Sequence, residues 1–200
     1  MKSLFEKLQY FCEGESVEPC LKYQDGRRNS CVDEDNIIKT LRPFFSIEEP
    51  PPRHWYDCLI WYEGVCYPVQ IKSSTCRSAD NWSSKKSVLY ALTSLSIEEI
   101  DAHPNSNKEI EESLLRYGSD DVERDMLIIL LEKPTHRLHA LTLKELDSLT
   151  INGSNLPFQV NWGVQLRNGP QRRSQQEARR FLVGAWMASV KKKLNQHNPE

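Results

Sequence analysis

The stretch from His54 to Ser73, HWYDCLIWYEGVCYPVQIKS, decides the fold. Aromatic and β-branched residues fill both halves and Glu63-Gly64 divides them, so the pattern predicts a β-hairpin of His54–Tyr62 and Val65–Ser73. With Glu63 and Gly64 as the two central turn residues, Asp57 lies directly opposite Gln70 on one face of the sheet. Side chains alternate along a strand, so Lys72 projects with Gln70, while Val69 and Ile71 point into the opposite layer. A slip of one residue sends Asp57 to the wrong face, which makes the register decisive.

Upstream, Pro50-Pro51-Pro52 cannot sit inside a helix or a central strand and separates the hairpin from what precedes it. The preceding element is predicted as a helix that begins at Asp33-Glu34-Asp35-Asn36, carries Ile37, Ile38 and Leu41, and stops by Pro43. Downstream, Val88, Leu89, Leu92 and Leu95 predict a helix over about Trp82–Leu95, and the acidic stretch Glu98–Asp125 forms a helix or a loop excursion. The apolar run Met126–Leu131 suits a central strand covered on both faces. Arg137–Thr142 is a further strand, Thr142-Leu-Lys-Glu opens a short helix with a capping-box pattern, and Phe158–Val164 reads as an edge strand. Ser174–Leu194 closes the chain as an amphipathic helix with a stripe of Ala178, Phe181, Leu182, Ala185, Trp186 and Val190. This order predicts an α/β fold with a mixed central β-sheet flanked by α-helices. A single domain over residues 1–200 is expected, its chemistry within about 33–145 and a basic helix at about 174–194.

The hydrophobic content of 38% and charged content of 27% fit a soluble globular chain. MKSLFEKLQYFCEG has no apolar run of signal-peptide length and no window is apolar enough to span a membrane, so a cytoplasmic protein is expected. The six cysteines contain no C-x-x-C pair and read as reduced thiols. Trp55, Trp61, Trp82, Trp162 and Trp186 are read as core or near-core residues. No P-loop, G-x-G-x-x-G or G-x-S-x-G occurs, which argues against an NTPase, a Rossmann enzyme or a common serine hydrolase.

A carboxylate and an amide carbonyl are hard oxygen donors, suited to Mg2+, and an adjacent ammonium can stabilise charge developing on a phosphate. Asp57, Gln70 and Lys72 therefore form a candidate site for phosphodiester hydrolysis. Glu34 is the candidate third acid, because Ile37, Ile38 and Leu41 follow it on one helical face, where a carboxylate is costly unless something pairs with it. The alternative reading is an acid that only favours the helix N-terminus.

Trp55-Tyr-Asp57-Cys-Leu-Ile-Trp followed by Tyr67-Pro-Val-Gln70-Ile-Lys72-Ser-Ser resembles the PD-(D/E)XK nuclease superfamily, over roughly Asp33–Leu95. The resemblance implies a restriction endonuclease-like core in which Glu34, Asp57 and Gln70 hold the metal and, with Lys72, run the hydrolysis. Tyr56 stands where the motif has proline, and Gln70 replaces the acidic second ligand. The implied activity is a Mg2+-dependent DNA endonuclease of the type II restriction-like kind, with Mn2+ as a substitute. Its partners would be double-stranded DNA and a second copy of the chain, since two-fold DNA sites favour two-fold proteins. The alternatives are a repair, junction-resolving or homing nuclease of the same fold, or a nucleic-acid-binding module without activity.

Ser73, Ser74, Arg77, Asn81, Lys85 and Lys86 offer hydroxyls and cations for phosphate or base contacts, or else form a polar loop and helix cap. From Gln171 to Lys193 seven basic residues face one acid, so Arg172 and Arg173, within the polar Asn161–Arg173 stretch, are further candidate DNA contacts.

Overall fold

A computed structural model describes residues 2–82, 84–147, 149–151 and 157–197. Along the chain run α1 (Lys2–Gly14), α2 (Gly26–Leu41), β1 (Ser46–Glu48), β2 (Cys58–Tyr62), β3 (Val65–Ser74), β4 (Asp80–Trp82), α3 (Lys85–Leu92), α4 (Ile97–Ala102) and α5 (Asn107–Tyr117). They are followed by β5 (Leu127–Glu132), β6 (Arg137–Thr142), β7 (Leu149–Thr150), β8 (Phe158–Val160), α6 (Trp162–Asn168) and α7 (Gln175–His197). The fold is mixed α/β, and the chain groups into two compact units.

The first unit comprises the chain up to Cys76 together with Met126–Thr142. Its sheet has the order β1-β2-β3-β5-β6, antiparallel throughout except for the parallel β3–β5 pair. The hairpin forms in the register that a Glu63-Gly64 turn requires, with Tyr62 facing Val65 and Cys58 facing Val69. Both turn residues have positive φ, 51° for Glu63 and 77° for Gly64, the signature of a type I′ turn. Val69, Ile71, Leu127, Ile129 and Leu131 pack with Leu4, Leu8 and Phe11 of α1 and with Ile37, Ile38 and Leu41 of α2. Met126–Leu131 is buried throughout, as expected of a doubly covered central strand, and Arg137–Thr142 is a strand.

The helix before the hairpin starts earlier than its sequence suggested. Asp25 caps it by accepting a hydrogen bond from the Arg27 backbone N–H, so Asp33 and Glu34 lie well inside the helix rather than in its first turn. Its buried stripe runs Asn29, Asp33, Ile37, Leu41 at helical spacing, and the first two positions are polar, so an apolar pattern marks only the last turns. Trp61 departs from the expected core: it is 44% exposed and donates its indole N–H to Glu48 Oε2 at 3.2 Å.

The second unit comprises Arg77–Asp125 and the chain from Leu143 onward. It holds the three-stranded antiparallel sheet β4-β8-β7, with Trp82 stacked on its register partner Phe158 at 6.2 Å. Phe158–Val164 is therefore not one edge strand. Its first three residues form the central strand β8, and the rest enters α6, capped by the Asn161 side chain on the Val164 N–H. Thr142–Glu145 likewise is not a helix. The Asp125 carboxylate takes the Lys144 backbone N–H, and the Lys144 ammonium turns inward onto the carbonyls of Val122 and Arg124 and the Gln175 side chain. Helix α3 is shorter than expected, and the acidic stretch after it contains α4 and α5. The C-terminal helix buries Ala178, Leu182 and Trp186 as its stripe predicts. Among the described residues no helix is long and apolar enough to cross a membrane.

A non-glycine residue in the left-handed region costs about 1–2 kcal/mol, and asparagine tolerates it far better than glutamate. Glu63→Asn is therefore expected to raise the stability of the fold by about 1 kcal/mol. Urea unfolding checks this, and an unchanged or lower midpoint would count against the turn geometry.

Candidate functional site

Strand β2 ends its pairing at Cys58 opposite Val69, with one further bond from the Asp57 N–H to the Val69 carbonyl at 2.9 Å, while β3 and its pairing with β5 run on to Ser74. The side of β3 that β2 leaves uncovered presents the Ile71 backbone N–H, a donor that must find an acceptor. Asp57 supplies it: its Oδ2 accepts from Ile71 N at 2.6 Å. The site thus grows from a strand end, and the Asp57 side chain continues the ladder where backbone has stopped.

Gln70 is 4% exposed, and its Nε2 donates to Asp57 Oδ2 at 3.2 Å and to the Trp55 carbonyl at 3.2 Å. Both partners are acceptors, so the amide is oriented with its nitrogen toward them and Oε1 turned away. No described residue donates to Oε1. Lys72 lies two residues along the same face, half-buried.

Burial pushes the Asp57 carboxyl above its ordinary value, while the Lys72 ammonium and the Ile71 N–H pull it back. Glu34, beside the buried stripe of α2, is pushed up to about 7, first by burial and next by the charge of Asp57, with Lys72 again opposing. The fields of Asp57 and Glu34 also converge on the neighbouring Cys58 thiol, which burial, ahead of both, raises. Asp57 and Gln70 are therefore in contact, and Glu34 and Lys72 lie near enough for charge to act between them and Asp57: Asp57 raises Glu34, and Lys72 lowers both acids. Among the described residues no set of three His, Cys, Asp or Glu side chains is grouped to hold a metal; any cation here would rest on two carboxylates and the amide oxygen.

The candidate DNA contacts are placed as follows. In the first unit, the Ser73 hydroxyl donates to Asp33 Oδ2, and Ser74 is buried with its Oγ accepting from the Cys76 N–H at 3.0 Å. In the second unit, Arg77 and Arg172 are exposed, and Asn81 accepts from Gln159 at 3.0 Å. Lys85 and Lys86 donate to the Asn105 and Asp101 carbonyls at 3.2 and 2.9 Å. The Arg173 guanidinium bonds the Lys144 and Leu146 carbonyls and lies 4.0 Å from the Phe181 ring centroid, so it serves the fold of that unit. The Asn161–Arg173 stretch is in large part helix α6 rather than a loop.

One residue of this region escaped the sequence reading. Asp33 has no exposed surface, yet it accepts from the Cys20 N–H at 2.6 Å, from Ser73 and from the Lys133 ammonium at 2.9 Å. The signal that could have found it is the four-residue spacing Asn29-Asp33-Ile37-Leu41. No protein-family model matches the chain, and no curated protein matches it.

An acid whose pKa rises on folding binds more protons in the native than in the unfolded state between its two values. For Glu34 that window runs from the ordinary 4.5 to about 7, so without metal ions its contribution makes stability fall as pH rises through the window. Glu34→Gln is expected to flatten this decline, leaving the part due to Asp57, which burial also raises. Urea midpoints in EDTA at several pH values between 4.5 and 8 test it, and parallel profiles for parent and variant would exclude the buried-acid account.

Proposed function

We propose that this chain is a metal-dependent endonuclease that hydrolyses phosphodiester bonds of double-stranded DNA, a type II restriction-like, site-specific enzyme acting as a homodimer. The observation that supports the reading is the Asp57 carboxylate held by Ile71 and Gln70 at the open flank of β3, with Glu34 and Lys72 near enough for their charges to act with it. Two carboxylates raised by burial, Glu34 also by the charge of Asp57, favour a cation beside them, and their oxygens fit Mg2+, with Mn2+ as a substitute. Asp57 and Glu34 would hold it, with Gln70 contributing Oε1. A bound divalent ion supplies a Lewis acid for a phosphate oxygen and lowers the pKa of an attacking water.

The chain's own groups do the rest. Lys72 places an ammonium beside the carboxylates, where it can stabilise negative charge developing on the phosphate. The Ile71 N–H fixes the Asp57 carboxylate, so its orientation does not depend on the ligand. The exposed cations Arg77 and Arg172 suit phosphate contacts, which position DNA without reading its sequence.

A second reading, a nucleic-acid-binding module without activity, is favoured by one observation: the Gln70 nitrogen, not its oxygen, faces Asp57. Cleavage decides between the two. The protein is expected to cut linear duplex DNA with Mg2+ or Mn2+, and Lys72→Ala to slow cutting by about 10²–10³-fold. Asp57→Asn is expected to stop cutting while DNA binding in Ca2+ persists. Activity confined to four-way junctions would reassign the enzyme to junction resolution, and failure on linear, branched and single-stranded DNA with both ions would leave the module.

The metal set has its own test. Gln70→Glu brings a carboxylate against Asp57 and the Trp55 carbonyl, and in EDTA it is expected to lower stability by about 3 kcal/mol, a loss that Mn2+ reverses. Denaturation with and without Mn2+ measures both effects, and a variant that Mn2+ leaves equally unstable would remove Gln70 from the set.

A further inference from the structure

Asp33 and Ser73 are each one residue away from a group of the proposed site: Asp33 precedes Glu34 on α2, and Ser73 follows Lys72 on β3. The hydrogen bond from the Ser73 hydroxyl to Asp33 Oδ2 therefore joins helix to strand at the level of the site. It joins them on the side of β3 opposite to Lys72, because Ser73 follows the alternation of Val69 and Ile71, whose side chains pack on the helices.

The junction is built from several sides. Lys133, in the turn that follows β5, brings its ammonium to the same Oδ2 at 2.9 Å, and its backbone N–H donates to the Ser74 carbonyl at 2.9 Å. The other oxygen, Oδ1, accepts from the Cys20 N–H at 2.6 Å, tying in the segment before α2. A carboxylate with no exposed surface is costly to bury, and here a cation and two further donors satisfy it. A hydrophobic side chain could hold a helix on a sheet without that cost. A directional bond between fixed points sets the axial position of α2 along β3, which apolar packing alone leaves freer to slide.

We infer that Asp33, Ser73 and Lys133 form a buried latch that positions Glu34 against Lys72 and Asp57, so that the site is assembled before any ligand arrives. Asp33 and Ser73 are positioning residues under this inference, acting through their neighbours. Ser73 is then withdrawn from contact with DNA, since its hydroxyl is directed at the helix. The inference rests on the reading of Glu34, Asp57 and Lys72 as a metal-dependent nuclease site.

Ser73→Ala removes the strand side of the latch and leaves the Asp33–Lys133 pair and the Cys20 bond in place. Partners that orient metal ligands typically change metal affinity or activity by about 10–100-fold, and a loss of that size is expected both in Mn2+ binding, measured calorimetrically without DNA, and in the cleavage rate. Thermal melts accompany both readouts. Ser73→Thr and Lys133→Arg keep the hydroxyl and the cation, and they are expected to retain Mn2+ binding and cleavage within about three-fold, well inside the loss caused by removing the group. An effect that follows melting temperature alone, or a folded Ser73→Ala protein that binds Mn2+ and cuts like the parent, would overturn the latch. Loss in the Thr variant as large as in the Ala variant would overturn it too. A parent protein that neither binds Mn2+ nor cuts DNA removes the nuclease reading itself, and the latch inference with it.

Discussion

The hydrogen bond from the Ile71 N–H to the Asp57 carboxylate is the contact on which the candidate site depends. Backbone donors at the flank of a sheet need partners, and a strand that stops short leaves them exposed to that need. Here the partner is a charged side chain at the first position past the paired strand. The same contact that completes the ladder also holds a carboxylate fast beside Gln70 and Lys72. Folding requirement and site geometry are in this sense one constraint: a change that frees Ile71 leaves the Asp57 carboxylate held by the Gln70 amide alone.

A second constraint follows from charge. Asp57 and Glu34 are both raised by burial, and each feels Lys72. A third carboxylate at position 70 would sharpen the repulsion in the ligand-free protein, whereas glutamine turns the same position into a donor that bonds Asp57 and the Trp55 carbonyl. The amide thus bonds the Asp57 carboxylate and still keeps an oxygen that no described residue uses.

Much of this was legible before any coordinates, and the reasons are local. Glu63-Gly64 between two aromatic, β-branched runs specifies a two-residue turn, and that turn alone fixes which residues face each other, so the opposition of Asp57 and Gln70 followed from the sequence. The Met126–Leu131 run announced a buried strand by composition. What the sequence hid were features carried by polar groups in buried positions. Helix α2 was read as starting late because its first buried residues are Asn29 and Asp33, and a search for apolar spacing passes over them. Arg173 reads as a candidate DNA contact because nothing in the sequence says that backbone carbonyls will surround it. Helix α6 was missed because its turn-like flanks, Asn161 and Gly169, mark its two ends rather than a loop.

The same blindness bears on how the acid of α2 is identified. Apolar spacing points to Glu34, since Ile37, Ile38 and Leu41 follow it, yet the acid at the centre of the buried stripe is Asp33. The two play different parts because they differ by one residue, about 100° of helical rotation. Asp33 accepts from Ser73 of the sheet, from the Lys133 ammonium and from the Cys20 N–H, so three of its roughly four acceptor sites are already used. Glu34 is half-buried, and the charges of Asp57 and Lys72 act on it. The more deeply buried carboxylate is therefore the worse candidate for a metal ligand. What matters for such a role is unsatisfied bonding capacity beside other charges, and depth of burial matters only so far as it withholds water from them.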